Sequence, residues 1–370
     1  MQYVNMLIKP ASSLCNLRCR YCFYEDESEK RMQKSMGVMQ EATAQRVIEA
    51  AVEAGRNGRG ISFSFQGGEP TVAGLPFFER FVSLVREENK TRLPVSYAIQ
   101  TNGTLLDEEW ADFFARNHFL VGISVDGGKG LHDQNRMDAQ GKGTYAQVTA
   151  AYRMLKKHRV DTNILCVVTR QCAGSAQRVY RELKAIGAQY LQFIPCLDPL
   201  GEARGCMKYS LTPEAYGNFL CALFDIWYQD WCDGRYISIR YFDDLVHMAM
   251  GMAPSTCSSS GRCGGYVVVE SDASVYPCDF YALDAWRLGS LMDTPLEKLM
   301  QSETYRRFCT ESMNRPKDCA NCAYERLCHG GCRRDWTADG NYFCAAYKRF
   351  FAYVHERIHR IAYMERMAIR

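Results

Sequence analysis

The chain has 370 residues, 47% of them hydrophobic and 24% charged, and its formal net charge is only +3. That length and apolar content suit a large core with an appendage. The even spread of charge argues against nucleic acid as the main partner, and no stretch reaches the roughly 20 apolar residues of a membrane-crossing helix. The N-terminal MQYVNMLIKP lacks the charged and long apolar regions of a secretory signal, so a cytoplasmic protein is expected. In a reducing compartment, 18 cysteines grouped at short spacings predict metal or iron–sulfur ligation rather than disulfides.

Six apolar runs read as strands in chain order: 4–10, 61–65, 95–100, 120–125, 163–168 and 190–194. Amphipathic stretches at 41–57, 75–90, 108–117, 144–158 and 174–186 separate them, and a further helical segment covers 213–232. Strand and helix alternating in this way predict parallel βα units. Polar and glycine-rich residues collect where the strands end, in the cysteine loop, QGGEP (66–70), TNGT (101–104), SVDGG (124–128) and CLDP (196–199). In a barrel that is the rim on which active sites are built. Six units fall short of eight, which predicts an α/β fold with a partial (β/α)6 barrel; an open doubly wound sheet is the alternative. After about residue 240 cysteines become dense and turns dominate, with a hairpin at VVVESDASVYPC (267–278). The predicted organisation is a barrel over 1–235, a small cysteine-rich domain over 236–345 and a C-terminal helix over 346–370.

Cys15, Cys19 and Cys22 stand in a CxxxCxxC spacing just past the first strand. One wrapped loop can point three such sulfurs at a common centre. Three thiolates leave a four-iron cluster one ligand short, and an iron with an open site can chelate a small molecule. A structural zinc site would want four protein ligands, so a zinc knuckle completed from elsewhere, or buried thiols, are the alternatives. Downstream stand Cys257, Cys263, Cys278, Cys319, Cys322, Cys328, Cys332 and Cys344, enough for two fully ligated four-iron clusters or two zinc sites.

The triplet together with Gly67-Gly68-Glu69-Pro70 at the end of the second strand resembles the radical S-adenosylmethionine superfamily. The resemblance implies a 4Fe–4S cluster on Cys15, Cys19 and Cys22, with Tyr21 the aromatic residue before the third cysteine. It also implies that Gly67, Gly68 and Glu69 grip the methionyl amino group of S-adenosylmethionine, and that Ser124, Arg136 and Leu197 contact the cofactor. Read from the residues alone, Ser124 is equally a strand-end hydroxyl, Arg136 a surface ion pair and Leu197 core. The second array is similar to the SPASM extension of peptide-modifying radical enzymes. In that likeness Cys257, Cys263, Cys278 and Cys332 hold one auxiliary 4Fe–4S cluster, and Cys319, Cys322, Cys328 and Cys344 hold another. The extension has Gly where this hairpin has Ala273, which predicts a different turn type here. Cys166, Cys172, Cys196, Cys206, Cys221, Cys232 and Cys309 match no ligand position and are expected in core or surface.

The stretches LIKPASSLCNLRCRYCFY, FQGGEPTVAG, NILCVVT, CLDPL, SIRYFDDL and VESDASVYPCDFY resemble the anaerobic sulfatase-maturating enzymes over nearly the whole chain. The resemblance implies oxidation of a Cys or Ser of a sulfatase to Cα-formylglycine. A 5′-deoxyadenosyl radical takes a hydrogen from Cβ, a base takes a proton, and an auxiliary cluster takes an electron. Asp279, directly after Cys278, matches the family's base; a turn aspartate bonded to backbone is the alternative. Tyr24 is expected to position the cofactor or the peptide, or only to pack. A flavodoxin or ferredoxin is the implied electron donor. Two other functions stay open. One is a different peptide-modifying radical enzyme, such as a thioether-crosslinking one, although the first strand begins too early for an N-terminal leader-recognition domain. The other is a zinc-stapled binding protein.

Overall fold

The computed structural model describes residues 3–369. Met1, Gln2 and Arg370, which the first and last predicted segments include, lie outside the described residues. All six predicted strands form: β1 (Tyr3–Ile8), β2 (Gly60–Phe65), β3 (Val95–Thr101), β4 (Phe119–Ser124), β5 (Asp161–Val168) and β6 (Tyr190–Pro195). A two-residue strand β7 (Ser238–Ile239), a hairpin of β8 (Val267–Val269) and β9 (Ser274–Tyr276), and a short β10 (Gly289–Ser290) complete the set. Helices Glu41–Gly55, Leu75–Glu88, Glu108–Arg116, Tyr145–Lys157 and Ala176–Ala185 occupy the predicted amphipathic stretches.

The chain forms two compact units. The first combines Met1–Ser124, Asp133–Thr162 and Cys263–Glu311. In it β1, β2, β3 and β4 pair in parallel, each with the next, and their helices bury one face each. Glu41–Gly55 buries Ala44, Val47, Ile48 and Ala51, the i, i+3, i+4, i+7 stripe of an amphipathic helix. Aromatic rings fill the layer between strands and helices. Phe63 meets Phe81 at 5.2 Å, Phe65 meets Phe78 at 4.9 Å and Phe78 meets Trp110 at 5.2 Å between centroids, all edge-on contacts.

The other edge of β1 is also paired. β8 lies parallel to it in the register Met6↔Val267, Leu7↔Val268 and Ile8↔Val269, and β9 and β10 follow antiparallel. The sheet is therefore extended past β1 by the cysteine-bearing hairpin rather than closed. The hairpin turn departs from the expectation for Ala273. This residue adopts φ +67°, the left-handed conformation that a Gly would take, so the turn type is kept and the alanine bears a strain of roughly 1–2 kcal/mol. Backbone bonds hold it there: Ala273 N–H donates to Glu270 O at 2.9 Å, and Ala273 O accepts from Leu291 N–H at 3.0 Å.

The second unit combines Val125–His132, Asn163–Arg262 and Ser312–Arg370. Here β5 pairs with β6 and β6 with β7, both in parallel. The helix Pro213–Cys232 is capped by Thr212 and opens on Pro213, the start signals the sequence carries. It packs against the C-terminal helix Cys344–Ile369 through a ring cluster that includes Phe224, Trp227, Phe242 and Phe350. Two helices appear where turns were expected to dominate, Arg240–Ala249 and Glu303–Met313. In the former, buried Phe242, Leu245 and Val246 define a face that the surrounding charges obscure in sequence. No described helix is long and apolar enough to cross a membrane.

Candidate active site

The cysteine loop sits at the C-terminal end of β1 and is tied down on two sides. Arg18 N–H donates to Met137 O at 2.7 Å and Arg20 N–H to Asn135 O at 3.0 Å. Asn16 donates to Thr104 Oγ1 at 2.8 Å and accepts from Asn102 Nδ2 at 2.9 Å, which fastens the loop to the turn after β3. Burial pushes the Cys15 thiol up to about 11, opposed by the Leu17 N–H and reinforced by Glu69 and Cys22. Burial likewise raises Cys22, against the N–H groups of Glu25 and Tyr24. Crowded, half-buried thiols of this kind are poor anions alone and become thiolates when a metal supplies the counter-charge.

The QGGEP turn lies against the same loop. Glu69 N–H donates to Leu14 O at 2.8 Å. Gly68 has φ +56°, and a Cβ there would meet Leu14 O at 2.3 Å, so only glycine permits this approach. The Glu69 carboxylate is buried. Its Oε1 accepts from Thr71 N–H at 3.1 Å, Thr71 Oγ1 at 2.7 Å and Thr101 Oγ1 at 2.7 Å, and its Oε2 from Asn102 N–H at 2.7 Å. Burial still wins over these donors and leaves its pKa above the usual carboxylate value. Such a carboxyl is primed to gain from a cationic ligand. On the S-adenosylmethionine contact that the resemblance implies, Glu69→Gln is expected to weaken cofactor binding by about 10- to 100-fold, the worth of one charge-assisted hydrogen bond, measured as the cofactor concentration that half-saturates 5′-deoxyadenosine formation.

Ser124 ends β4, and its hydroxyl accepts from Gln100 Nε2 at 3.1 Å. Arg136 is buried rather than a surface residue; its guanidinium lies over the Tyr21 ring, 5.5 Å from the centroid. These residues share the first unit with the cysteine loop. Leu197 belongs to the second unit, in the loop after β6, and is half-buried.

Asp279 is buried at the start of the turn after β9. Tyr24 Oη donates to its Oδ2 at 2.9 Å, Gln66 Nε2 approaches the same oxygen at 3.5 Å, and Tyr266 Oη donates to Oδ1 at 2.7 Å. Gln66 Nε2 also donates to Tyr24 Oη at 2.6 Å. Burial, followed by the Asp279 carboxylate, pushes both tyrosine hydroxyls well above their ordinary value, so they stay donors. The Asp279 side chain thus faces a polar group from the cysteine loop, one from the end of β2 and one from its own hairpin. Gln66 and Tyr266 escaped the sequence reading. The one available signal was Gln66 as the polar residue between β2 and GGEP.

In the second unit Cys319, Cys322, Cys328 and Cys344 line one cavity with Tyr324, Tyr347 and Phe351. Burial pushes Cys328 up to about 11, the Gly330 N–H opposes this, and Cys319, Cys344 and Cys322 add to it. Asp318, Glu325 and Lys348 also line this cavity, and the four cysteines supply a soft donor set to it, although among the described residues no cysteine group stands at metal-binding distances. Of the other predicted set, Cys263 and Cys278 lie in the first unit and Cys257 and Cys332 in the second. Cys166, Cys172 and Cys196 are buried, Cys221 and Cys309 half-buried, and Cys206 and Cys232 exposed.

The family described as the radical SAM superfamily matches residues 10–172, and the one described as an iron–sulfur cluster-binding domain (SPASM) matches residues 257–323. The chain is 45% identical over 368 residues to the cysteine-type anaerobic sulfatase-maturating enzyme of Clostridium perfringens, covering 98% of this chain and 99% of that one. It is 31% identical to the serine-type enzyme of Bacteroides thetaiotaomicron, covering 94% of this chain and 89% of the relative. A solved structure of native anSMEcpe with bound AdoMet and Cp18Cys peptide superposes with TM-score 0.92 at 44% identity, over 97% of this chain and 99% of the other. The parallel βα units, the two cysteine arrays and this full-length likeness agree: the chain belongs to the anaerobic sulfatase-maturating enzymes of the radical SAM superfamily.

Proposed function

We propose that the chain oxidises a cysteine of a sulfatase polypeptide to Cα-formylglycine. The observation that carries this is the Tyr24–Asp279 bond of 2.9 Å. Through it the candidate proton acceptor meets a side chain only two residues beyond the third cysteine of the triplet. Cysteine is the favoured target because the cysteine-type relatives are 43–45% identical and the serine-type ones 31–32%.

When bound, the cofactor and its cluster supply the radical that removes a hydrogen from the target Cβ. Cys15, Cys19 and Cys22 would hold that cluster, three thiols for a group that takes four ligands. Gly67, Gly68 and Glu69 would hold the methionyl end of the cofactor, Glu69 through its amine, and Tyr21, Ser124, Arg136 and Leu197 would contact the rest. Asp279 accepts the thiol proton of the target, and Tyr24, Gln66 and Tyr266 hold its carboxylate in place. Cys319, Cys322, Cys328 and Cys344 would hold one auxiliary cluster, and Cys257, Cys263, Cys278 and Cys332 would hold the other, each able to take up the electron the oxidation releases. The electron donor is a flavodoxin or ferredoxin in the cytoplasm.

The test is oxygen-free incubation with reductant and paired sulfatase peptides that differ only in Cys or Ser at the target. Mass spectrometry reads the products, and iron and sulfide are counted on the same sample. The expected result is formylglycine chiefly from the Cys peptide, with about twelve irons per chain. Zinc without labile sulfide would sink the enzymatic reading, and a thioether product would shift it to the crosslinking class.

A further inference from the structure

Four charged side chains that the reaction above does not use lie buried together in the first unit. Lys9, Glu27, Arg31 and Glu270 are each no more than 5% exposed. Lys9 Nζ stands 3.3 Å from Glu270 Oε1 and 3.5 Å from Glu27 Oε2, and Arg31 Nη1 stands 2.5 Å from Glu270 Oε1. Glu270 thus pairs with both cations and Glu27 with Lys9, and the Asp279 carboxylate lies close enough to act on Glu27. Although burial opposes it, Lys9 and Arg31 hold Glu270 below its usual pKa. Burial raises Glu27 to about 7 against the pull of Lys9.

Lys9 differs from the other three in what its parts touch. Its N–H donates to Val269 O at 2.8 Å, carrying the β1–β8 pairing one residue further towards the turn. Its methylene stem lies against Gly67, where a Cβ would meet Lys9 Cγ at 2.5 Å. Its ammonium stands 5.1 Å from the centroid of the Tyr24 ring, a cation–π distance. Its partner Glu27 accepts from Ala282 N–H at 2.6 Å, three residues past Asp279. One side chain thus touches the GGEP turn at its stem and, at its head, the Tyr24 ring and Glu27, whose other oxygen ties the backbone three residues past Asp279.

We infer that Lys9 is a positioning residue for the oxidation: its ammonium fixes the Tyr24 ring and the Glu27–Ala282 tie, and so sets Asp279 relative to the GGEP turn. The inference rests on Asp279 as the proton acceptor. The two halves of Lys9 have separable duties. The stem supports the cofactor turn, and the head aligns the acceptor. Catalytic groups tolerate little misplacement, since a shift of about 1 Å can cost up to about 100-fold in rate.

Lys9→Met keeps the stem and removes the charge. Measured anaerobically on the reconstituted protein, it is expected to raise the ratio of 5′-deoxyadenosine to formylglycine by about tenfold or more. The loss should fall on kcat for the peptide and not on KM, and peptide affinity of the reconstituted protein by fluorescence anisotropy should stay near wild type. The double variant Lys9→Met/Glu27→Gln removes the charge imbalance. It is expected to recover the thermal midpoint but not the product ratio. A wild-type ratio in folded Lys9→Met would overturn the inference. So would recovery of the ratio together with the midpoint in the double variant, because that marks charge balance alone. If Lys9→Met does not fold, the double variant decides by the same ratio. Failure of wild type itself to make formylglycine strikes the functional reading and is seen separately.

Discussion

Replacing Cys15, Cys19 and Cys22 together with Ala is expected to abolish 5′-deoxyadenosine formation. The loop that carries them is fixed by backbone bonds from Arg18 and Arg20 and by the Asn16–Asn102 pair, none of which uses a thiol. The altered loop gives up the weak contacts of Leu17 N–H and Asn102 Nδ2 with Cys15 Sγ but keeps these ties while losing all three of its soft ligands, and no iron site with an open position can form there. The downstream cysteines are untouched, so about eight irons should remain per chain. Anaerobic reconstitution, iron and sulfide counts, and chromatography of the reaction mixture check both halves. Continued cofactor cleavage by the triple variant would reject the assignment of the loop.

Asp279→Asn is expected to do the opposite: cofactor cleavage continues while aldehyde falls by about 10²- to 10⁴-fold, the usual worth of a positioned general base. Asn matches Asp in shape, so the change tests chemistry more than packing. Its amide oxygen can still accept from one tyrosine. Its NH₂ group, however, must face a second hydroxyl that now has to turn its proton away. Mass spectrometry of the Cys peptide, run beside the deoxyadenosine assay, reads the partition. Unchanged peptide oxidation would remove Asp279 from the role of proton acceptor.

Much of this was legible in the sequence because the relevant signals are local. Each predicted strand lies within about two residues of its observed bounds at either end. Within the first unit the polar ends of β1 to β4 fall at one edge of the sheet because those strands are parallel. The triplet and GGEP declared themselves by spacing. What stayed hidden depends on pairing between distant segments. Nothing in VVV at 267–269 says that its partner is MLI at 6–8, and that pairing is what brings Tyr266 and Asp279 to Tyr24. Lys9 reads as an ordinary charge after an apolar strand until Glu27 and Glu270 arrive from 18 and 261 residues away. Ala273 was misjudged for a related reason. Propensity argued for another turn, but the bonds to Glu270 and Leu291 and the flanking strands outweigh roughly 1–2 kcal/mol of strain.

The pairing of β8 with β1 also bears on modularity. The two family segments, residues 10–172 and 257–323, look like parts that evolution or an engineer could exchange. A chain cut at residue 235 would strip β8 from β1 and leave a row of unpaired N–H and C=O groups beside buried Met6 and Ile8, an invitation to aggregate. Grafting another cysteine-rich region would have to reproduce the Met6↔Val267 register. A slip of one residue would turn the hairpin's side chains to the wrong face. The enzyme's second cysteine array is separable as a motif and inseparable as a strand.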